Sequence, residues 1–438
     1  MPFRVKRRTK SIDLMNEFRE FSRRYWYVLA AFFVLAVAIC IRQYSYQGVN
    51  GDPYIYWAVG GKFLAGKPLY EPVPGSQEFL YPPIAVLFCQ ILALMPFPVA
   101  VVVFTMINFT LWLVLIGLTY RLLRFYFPKA DLRVALLIGF VASIRYFWHN
   151  ILWVNVNELI ALLCFGGLYT YLKGHRLTAL GLLSLAMWIK VMALLIVVTL
   201  MVRRPRQTLI PVLGFSALFA VILMCFRGVN QGIQDYFDYW YITFKPFLTG
   251  KVFTDWIAFG VSPLLSKLLT AHDPINGIRY NIVSWSPALV GHISLAIRLL
   301  IVGVTYRYVW LTRRQRELPI LAILLTFLTM LLVSGVAWEG HHVTLLLIVA
   351  GVYQLLSMHN ATTLRRWVAI VAIGVGLMTS DLLGNRLSDY TQAFTLITYN
   401  VLLLYIVAVW LSERHLKQAA IRVMPDRSES RYADQETN

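Results

Sequence analysis

The residues best suited to chemistry lie in a polar stretch that follows the first apolar segment. Asp52 is the sole acid near the start of this stretch, and a helix from Tyr54 to Leu64 is predicted to follow it. A carboxylate close to a helix N-terminus tends to stay ionised, so it can accept a proton from a substrate. Asp is also a favoured N-cap residue, so Asp52 could simply cap the helix. The two roles do not exclude each other.

Two further sites carry ionisable residues next to apolar sequence. Lys190 lies inside the apolar run Leu177–Val202. A lysine within a membrane helix costs roughly 2.5–3.5 kcal/mol, so it usually has a partner or a function, although its side chain could also snorkel to the interface. Glu339 precedes the pair His341 and His342 at a predicted helix start. No third ligand stands at helical spacing from the pair, so we predict no metal site.

The elements that position these residues are predicted to be membrane helices. Of the 438 residues, 59% are hydrophobic and 14% are charged, whereas a soluble protein carries about 25% charged residues. Nearly uncharged runs of about 18 residues recur, and each can cross a hydrocarbon core of about 30 Å. Because a backbone in lipid must satisfy its own hydrogen bonds, these runs are helices. The sequence predicts an all-α polytopic membrane protein with about 12 transmembrane helices.

The charge distribution predicts the orientation of these helices. The formal net charge is +19, which in a soluble chain would suggest a nucleic-acid partner. Here the basic residues form short clusters between apolar runs, as is typical of cytoplasmic loops, so we expect no nucleic-acid partner. The clusters that we place on the cytoplasmic side are Arg4–Arg24, Arg121–Arg133, Lys173–Arg176, Arg203–Arg206, Arg307–Arg316 and Arg365–Arg366.

This orientation requires two segments that do not make ordinary crossings. Tyr81–Phe97 would be re-entrant or lie along the outer interface, and Leu177–Val202 would turn near Lys190. A rival topology treats both segments as single spans and places the cluster Arg121–Arg133 outside. We favour the first topology because it keeps all basic clusters on one side. Both topologies place the two termini in the cytoplasm.

The chain is predicted to form one membrane domain with short polar ends. The long outer loop would help to form a binding cavity or would lie on the bilayer surface. The predicted boundaries are a cytoplasmic basic arm at 1–25, the transmembrane domain at 26–412, a first outer loop with its re-entrant or second span at 46–97, a long outer loop at 227–288, and a cytoplasmic tail at 413–438.

Several motifs together are similar to one known family. The first outer loop contains Asp-x-x-x-Tyr (Asp52 and Tyr56), Gly-x-x-Leu-Tyr (Gly66 to Tyr70) and Tyr81-Pro82-Pro83, which opens a helix. This pattern resembles the membrane glycosyltransferases of the C superfamily, and among them family 87, the polyprenyl-phosphate-mannose-dependent α-mannosyltransferases. Later segments resemble the same family. They are Val154-Asn155-Val156-Asn157, Ile189-Lys190 and Trp338-Glu339-Gly340-His341-His342, in which Gly340 widens the gap between the acid and the histidines.

The resemblance implies a reaction and a set of roles. A monosaccharide, most often mannose, would pass with inversion from a polyprenyl phosphate to a glycolipid or cell-envelope glycan, without a metal cofactor. The site would lie on the outer face of the inner or plasma membrane, among membrane lipids. Asp52 would be the base. Lys190, His341 and His342 would bind the donor phosphate. Sugar and acceptor would contact Tyr56, Tyr81, His149, Asn155, Asn157 and Glu339.

Each of these roles has a simpler alternative. The histidine pair could be a hydrated interfacial pair, and His149, Asn155 and Asn157 could hydrogen-bond between helices. The tyrosines could belong to an ordinary aromatic belt. For the whole protein, the alternative is a secondary transporter or lipid flippase, although we find no matched pair of broken spans. A glycan ligase would need several arginines in the long outer loop, which contains only Arg279 within Gly228–Ser286.

Overall fold

The computed structural model describes residues 51–73, 78–245 and 258–423 apart from 273, 275–277 and 336, together with residues 26, 27, 30, 31, 33–35, 37, 38 and 41. The predicted basic arm 1–25, the start of the first outer loop at 46–50, residues 246–257 of the long outer loop and the tail from 424 lie outside the described residues. The described part is helical apart from turns, loops and two isolated β-bridges. This confirms the predicted all-α polytopic membrane fold.

Six helices among the described residues are long and apolar enough to cross a membrane. They are α3 (Phe97–Tyr126), α4 (Arg133–Trp153), α8 (Pro205–Arg227), α11 (Pro287–Leu311), the segment Glu339–Met358, which contains α13 (Leu345–Met358), and Leu396–Gln418 of α17 (Leu396–Val423). Shorter apolar helices pack between them. They are α5 (Asn157–Leu172), α6 (Arg176–Ile189), α7 (Leu194–Arg203) and α12 (Ile320–Val333).

The remaining helices are short or lie at one end of the bundle. They are α1 (Asp52–Leu64), α2 (Val86–Ala93), α9 (Val229–Tyr239), α10 (Val261–Leu269), α14 (Thr362–Leu377), α15 (Ser380–Leu383) and α16 (Asn385–Ala393). The first of these starts two residues before the predicted helix, with Pro53 in its first turn, where proline costs little. The last helix of the chain, α17, continues past the predicted tail boundary at 413 to Val423.

The long helix α3 defines the two ends of the bundle. It has 30 residues and is therefore about 45 Å long. Its first residue, Phe97, packs against the rings of Tyr54 and Trp57 in α1, with ring centroids 5.4 and 5.7 Å apart. Its last residue, Tyr126, donates its hydroxyl to the Leu318 carbonyl at 2.7 Å. We call the end that holds α1 the site end and the end that holds Tyr126 the basic end.

The basic clusters meet at the basic end. The Lys173 ammonium lies 5.6 Å from the ring centroid of Phe125. Arg203 donates to the carbonyls of Thr312 and Gln315 at 2.7 and 2.8 Å. Together with the hydrogen bonds from Tyr126 to Leu318 and from Arg176 to Gln207, these contacts bring together the clusters 121–133, 173–176, 203–206 and 307–316. The rival topology is inconsistent with this arrangement, because it separates the first of these clusters from the others.

The segment Tyr81–Phe97 begins and ends at the site end. The hydroxyl of Tyr81 lies 2.8 Å from that of Tyr56 in α1, and Phe97 also contacts α1. Between them, α2 has eight residues and is about 12 Å long, too short for a hydrocarbon core of about 30 Å. Gly60 lets α1 pack directly on α2, since a Cβ there would come within 2.1 Å of the Cys89 carbonyl oxygen.

The segment Leu177–Val202 runs inward and returns to its own side. Arg176, the first residue of α6, donates to the Gln207 side chain in α8 at 2.5 Å. Because α7 ends at Arg203, two residues before α8 begins, α6 and α7 form a hairpin. Lys190 stands at its tip with an extended backbone (φ −151°, ψ 115°), which breaks the helix. This fits the turn predicted near Lys190.

Candidate active site

Asp52 is held by a hydrogen bond from the connection between α4 and α5. The Asn155 side-chain nitrogen donates to its carboxylate at 2.5 Å. Val154, the residue before Asn155, has a left-handed backbone (φ 50°), which is strained for a β-branched residue. The N-cap of α1 is Gly51, and no side-chain hydrogen bond caps this helix. The capping alternative for Asp52 is therefore wrong.

Lys190 reaches the same site from the tip of the hairpin. Its ammonium donates to the Asn157 side-chain oxygen at 2.9 Å and lies 5.4 Å from the ring centroid of Tyr81. It also interacts electrostatically with Asp52. The amine is thus held inside the bundle by an amide and an aromatic ring, which argues against snorkelling. The acidic Asp52 and the basic Lys190 thus interact electrostatically in the site. Each is hydrogen-bonded to one asparagine of the Asn-x-Asn motif, Asp52 to Asn155 and Lys190 to Asn157.

Tyr56 and Tyr81 form one wall of the site. Their hydroxyls are 2.8 Å apart and their rings meet edge to face, with centroids separated by 5.6 Å. Tyr70 donates its hydroxyl to the Tyr81 carbonyl at 2.6 Å, which fixes the backbone there. Tyr56 is 3% exposed, so the aromatic-belt alternative does not apply to it. A small apolar pocket adjoins this wall and is lined by residues that include Tyr56, Phe88 and Ile189.

A chain of side-chain amides extends from Lys190 into the bundle. Asn157 donates to the Asn150 side-chain oxygen at 2.8 Å, and Asn150 donates to the Gly340 carbonyl at 2.9 Å. A Cβ on Gly340 would come within 2.3 Å of the Asn150 oxygen and 2.8 Å of the Asn157 nitrogen. The amide chain therefore explains why glycine interrupts the Glu-His-His segment. Asn157 thus makes the interhelical bond that was the alternative to its predicted role, and it also contacts Lys190. Its contact with the sugar or the acceptor stays a prediction.

Glu339 joins two cationic or ionisable side chains from α4. Its carboxylate accepts a hydrogen bond from the Arg145 guanidinium, and its second oxygen lies 3.6 Å from Nδ1 of His149. The His149 ring stacks on Trp153 with centroids 5.9 Å apart. Arg145 also donates to the Met378 carbonyl. The pair Arg145–Glu339 therefore fixes the position of the turn that carries the two histidines.

His341 and His342 are packed inside the protein rather than exposed at an interface. Nδ1 of His341 accepts from the Trp338 amide at 2.9 Å, and His341 interacts electrostatically with Lys190. Nδ1 of His342 lies 3.1 Å from the Trp338 carbonyl, and its ring packs against Tyr146 and Phe259. The hydrated-pair alternative is wrong, because the two residues are only 7% and 1% exposed.

The charge state of Asp52 is set by opposing effects. Burial raises its pKa from 3.8 to about 6, while the positive charge of Lys190 and the hydrogen bond from Asn155 both lower it. Asp52 is therefore more basic than a free aspartate and still ionised at neutral pH. This combination suits a group that accepts a proton during a reaction.

Two residues of this site escaped the sequence analysis. Arg145 stands alone in an apolar run, and this pattern alone could have identified it as a paired or functional residue. Asn150 gives no such signal, because an asparagine near a helix end is ordinary. All ten predicted site residues are either joined by the contacts above or adjacent to them. Among the described residues, no three His, Cys, Asp or Glu side chains come together as metal ligands would.

Comparison with known proteins gives one family. The model of the family described as glycosyltransferase family 87 matches residues 79–335. This confirms the resemblance drawn from the motifs. No curated protein and no solved structure matches the chain.

Proposed function

This chain belongs to glycosyltransferase family 87, and from that premise we propose that it moves a monosaccharide from a polyprenyl-phosphate donor to a lipid-linked or glycan acceptor. Mannose is the proposed sugar, and a glycolipid or cell-envelope glycan is the proposed acceptor. Membership of the family makes the chain a glycosyltransferase. The lipid-phosphate donor is our inference from the site and the resemblance, and the sugar and the acceptor are our inference from the resemblance alone.

The observation that carries the proposal is the pairing of Asp52 with Lys190. One is a carboxylate with raised basicity, and the other is an ammonium that Asn157 holds 2.9 Å from its side-chain oxygen. Transfer from a sugar phosphate needs both groups, because a hydroxyl loses a proton while a phosphate gains negative charge. A carboxylate alone would serve many hydrolytic reactions, but the fixed ammonium favours a phosphate leaving group.

The reaction is proposed as a single displacement. The acceptor hydroxyl attacks the anomeric carbon, the bond from that carbon to the phosphate oxygen breaks, and Asp52 takes the hydroxyl proton. The leaving polyprenyl phosphate keeps the electron pair, and Lys190 balances its charge. Since one carboxylate acts as base and none acts as nucleophile, the anomeric configuration inverts. A metal-free reaction stays a prediction.

The neighbouring residues are assigned to the sugar and to the lipid. His149, 25% exposed at its side chain, and the hydroxyls of Tyr56 and Tyr81 would hydrogen-bond sugar or acceptor hydroxyls. Glu339 and the two histidines would hold the shape of the phosphate site. The apolar pocket lined by Tyr56 and Ile189 suits the first isoprene units of the donor, because Ile189 is the residue before Lys190, which is proposed to bind the phosphate.

The site is proposed to face the outside of the inner or plasma membrane. Asp52 and Lys190 lie at the site end, opposite the basic clusters, which are expected in the cytoplasm. Both termini would then be cytoplasmic. This orientation also explains a lipid-linked donor, since nucleotide sugars are absent from the outer side.

The test is a transfer assay with purified protein in nanodiscs. It would contain radiolabelled polyprenyl-phosphate mannose and a crude lipid extract from the source organism. The matched variants are Asp52→Ala and Asp52→Asn. Because a positioned base contributes about 10²- to 10⁴-fold, both variants should lose at least 99% of the transfer rate. Asp52→Asn should unfold at no lower temperature than the wild type, because a buried neutral amide avoids the cost of a buried charge.

Each outcome has a distinct meaning. Label that moves to a lipid or glycan with the wild type alone would support both the class of donor and the role of Asp52. Equal transfer by the variants would remove Asp52 as the base. No transfer with mannose, arabinose or glucose donors would contradict the proposed donor and favour a transporter or flippase instead.

A further inference from the structure

Helix α9 presents three distinct faces. Gly232, Asp235 and Tyr239 are buried against the protein. A stripe of large apolar side chains is between 41% and 60% exposed and consists of Val229, Ile233 and Phe237. A third face is polar and includes Gln234, which donates to Asp238 at 2.7 Å. A helix in water would not expose the stripe, and a membrane span would not carry the polar face.

The buried face prevents the helix from turning over. Arg227 pairs with Asp235 at 2.8 Å, and both side chains are at most 1% exposed. Arg227 also donates to the Lys67 carbonyl at 2.8 Å, in the loop that follows α1. The Tyr239 ring packs on Tyr70 with centroids 6.1 Å apart. The apolar stripe therefore points away from the rest of the described residues.

The stripe continues the exposed apolar surface of a candidate membrane span. The preceding helix, α8, is a candidate span with mostly exposed apolar residues, among them Leu213, Val221 and Phe226. Gly228, with a positive φ of 77°, ends α8 and turns the chain into α9. Val229 at the start of the stripe thus follows only three residues after Phe226 at the end of that exposed surface. The same bilayer is the occupant that this continuity indicates.

We propose that α9 lies in the plane of the membrane interface at the site end, with its apolar stripe among the acyl chains and Gln234 and Asp238 in water. Tyr236 of α9 packs edge to face on Trp188, with centroids 5.8 Å apart. Trp188 is two residues from Lys190, so the helix fixes the depth of the hairpin tip relative to the lipid headgroups. This inference does not rest on the proposed function.

The test measures which solvent surrounds each face. Nitroxide labels would be attached at Phe237→Cys on the stripe, Gln234→Cys on the polar face and Leu213→Cys on α8 as a lipid reference. Cys40 and Cys225 would be replaced by serine, while the buried Cys89 and Cys164 are kept. The protein with Cys89 and Cys164 alone, treated with the same label, gives the background signal. Relaxation by oxygen and by a water-soluble nickel chelate would then be compared in nanodiscs.

We expect the label at 237 to respond more strongly to oxygen and at least threefold more weakly to nickel than the label at 234. Its oxygen response should stay below that of the label at 213, which lies near the middle of its span. Equal nickel response at 237 and 234 would overturn the proposal, because the stripe would then be in water. Protection of 237 from both reagents would also overturn it and would mean that protein, such as a second copy of the chain, covers the stripe.

Discussion

At the scale of single residues, Asp52 balances two demands. Its burial makes the carboxylate more basic, and the ammonium of Lys190 with the amide of Asn155 keeps it ionised. A group that accepts a proton works best when its pKa lies close to the ambient pH. Asp52 approaches this condition, because its pKa of about 6 is nearer to neutral pH than that of a free aspartate.

This balance predicts how the transfer rate depends on pH. Burial lowers the pKa of Lys190 to about 7, although the charge of Asp52 raises it, so the rate should decline above neutral pH as the ammonium is lost. The active form of Asp52 is the deprotonated one, so the rate should also fall as pH drops through about 6. Below that value the rate should fall roughly tenfold per pH unit. The measurement is kcat/KM for the lipid-linked donor between pH 5 and pH 8. A flat profile down to pH 5 would contradict the assignment.

Asn155 is expected to act on the rate through Asp52. Its hydrogen bond stabilises the ionised carboxylate, so Asn155→Ala should move the acid limb of the pH profile to higher pH. The partly exposed Asn281, whose side chain bonds Ser284 in the described residues, gives the control Asn281→Ala. A lower rate with an unmoved acid limb would show that Asn155 has only a structural role.

At the scale of elements, the site depends on close contact between the helices α1, α4, α5 and α6 and one short turn. The turn Glu339–Thr344 carries Gly340, whose carbonyl receives the amide chain from Lys190 through Asn157 and Asn150. Asn150, Asn155 and Asn157 are at most 4% exposed. Buried amides are costly unless they are bonded, so their mutual contacts determine how the elements fit together.

Gly340→Ala tests this fit. The added methyl group would meet the Asn150 oxygen at 2.3 Å, and overpacking of this kind typically costs about 1–3 kcal/mol. We expect a lower unfolding temperature and at least a tenfold loss of transfer, because the amide that holds Lys190 must shift. The control is Gly117→Ala in α3, where the added Cβ meets nothing within 4 Å. Alanine favours a helix there, so this variant should be as stable as the wild type.

At the scale of the whole molecule, the orientation is testable by labelling. Lys67 follows α1 at the site end, and Lys129 lies in the loop after α3 at the basic end. In intact cells, a membrane-impermeant maleimide should label Lys67→Cys and should reach Lys129→Cys only after the membrane is opened. The opposite pattern would place Asp52 in the cytoplasm and remove the reason for a lipid-linked donor.

The sequence predicted this architecture well where charge and hydrophobicity were informative. Basic clusters indicated which ends of the helices meet, and Lys190 marked the break in the hairpin. The amide chain could not be predicted, because the side chains of Asn150 and Asn157 meet Gly340 only after α4, α5 and the turn at 339–344 pack. Arg145 was detectable as an isolated charge, but its partner Glu339 lies 194 residues later in the chain.

The hairpin of α6 and α7 can change in evolution without changing the orientation of the helices that follow it. Because the hairpin starts and ends at the same end of the bundle, it does not change the end at which the next helix begins. Removing or exchanging residues 176–203 would leave every later helix threaded in its present direction, whereas loss of α5 would invert them all. Lys190, which is proposed to bind the donor phosphate, thus lies on a segment that can be replaced without changing the direction of the later helices.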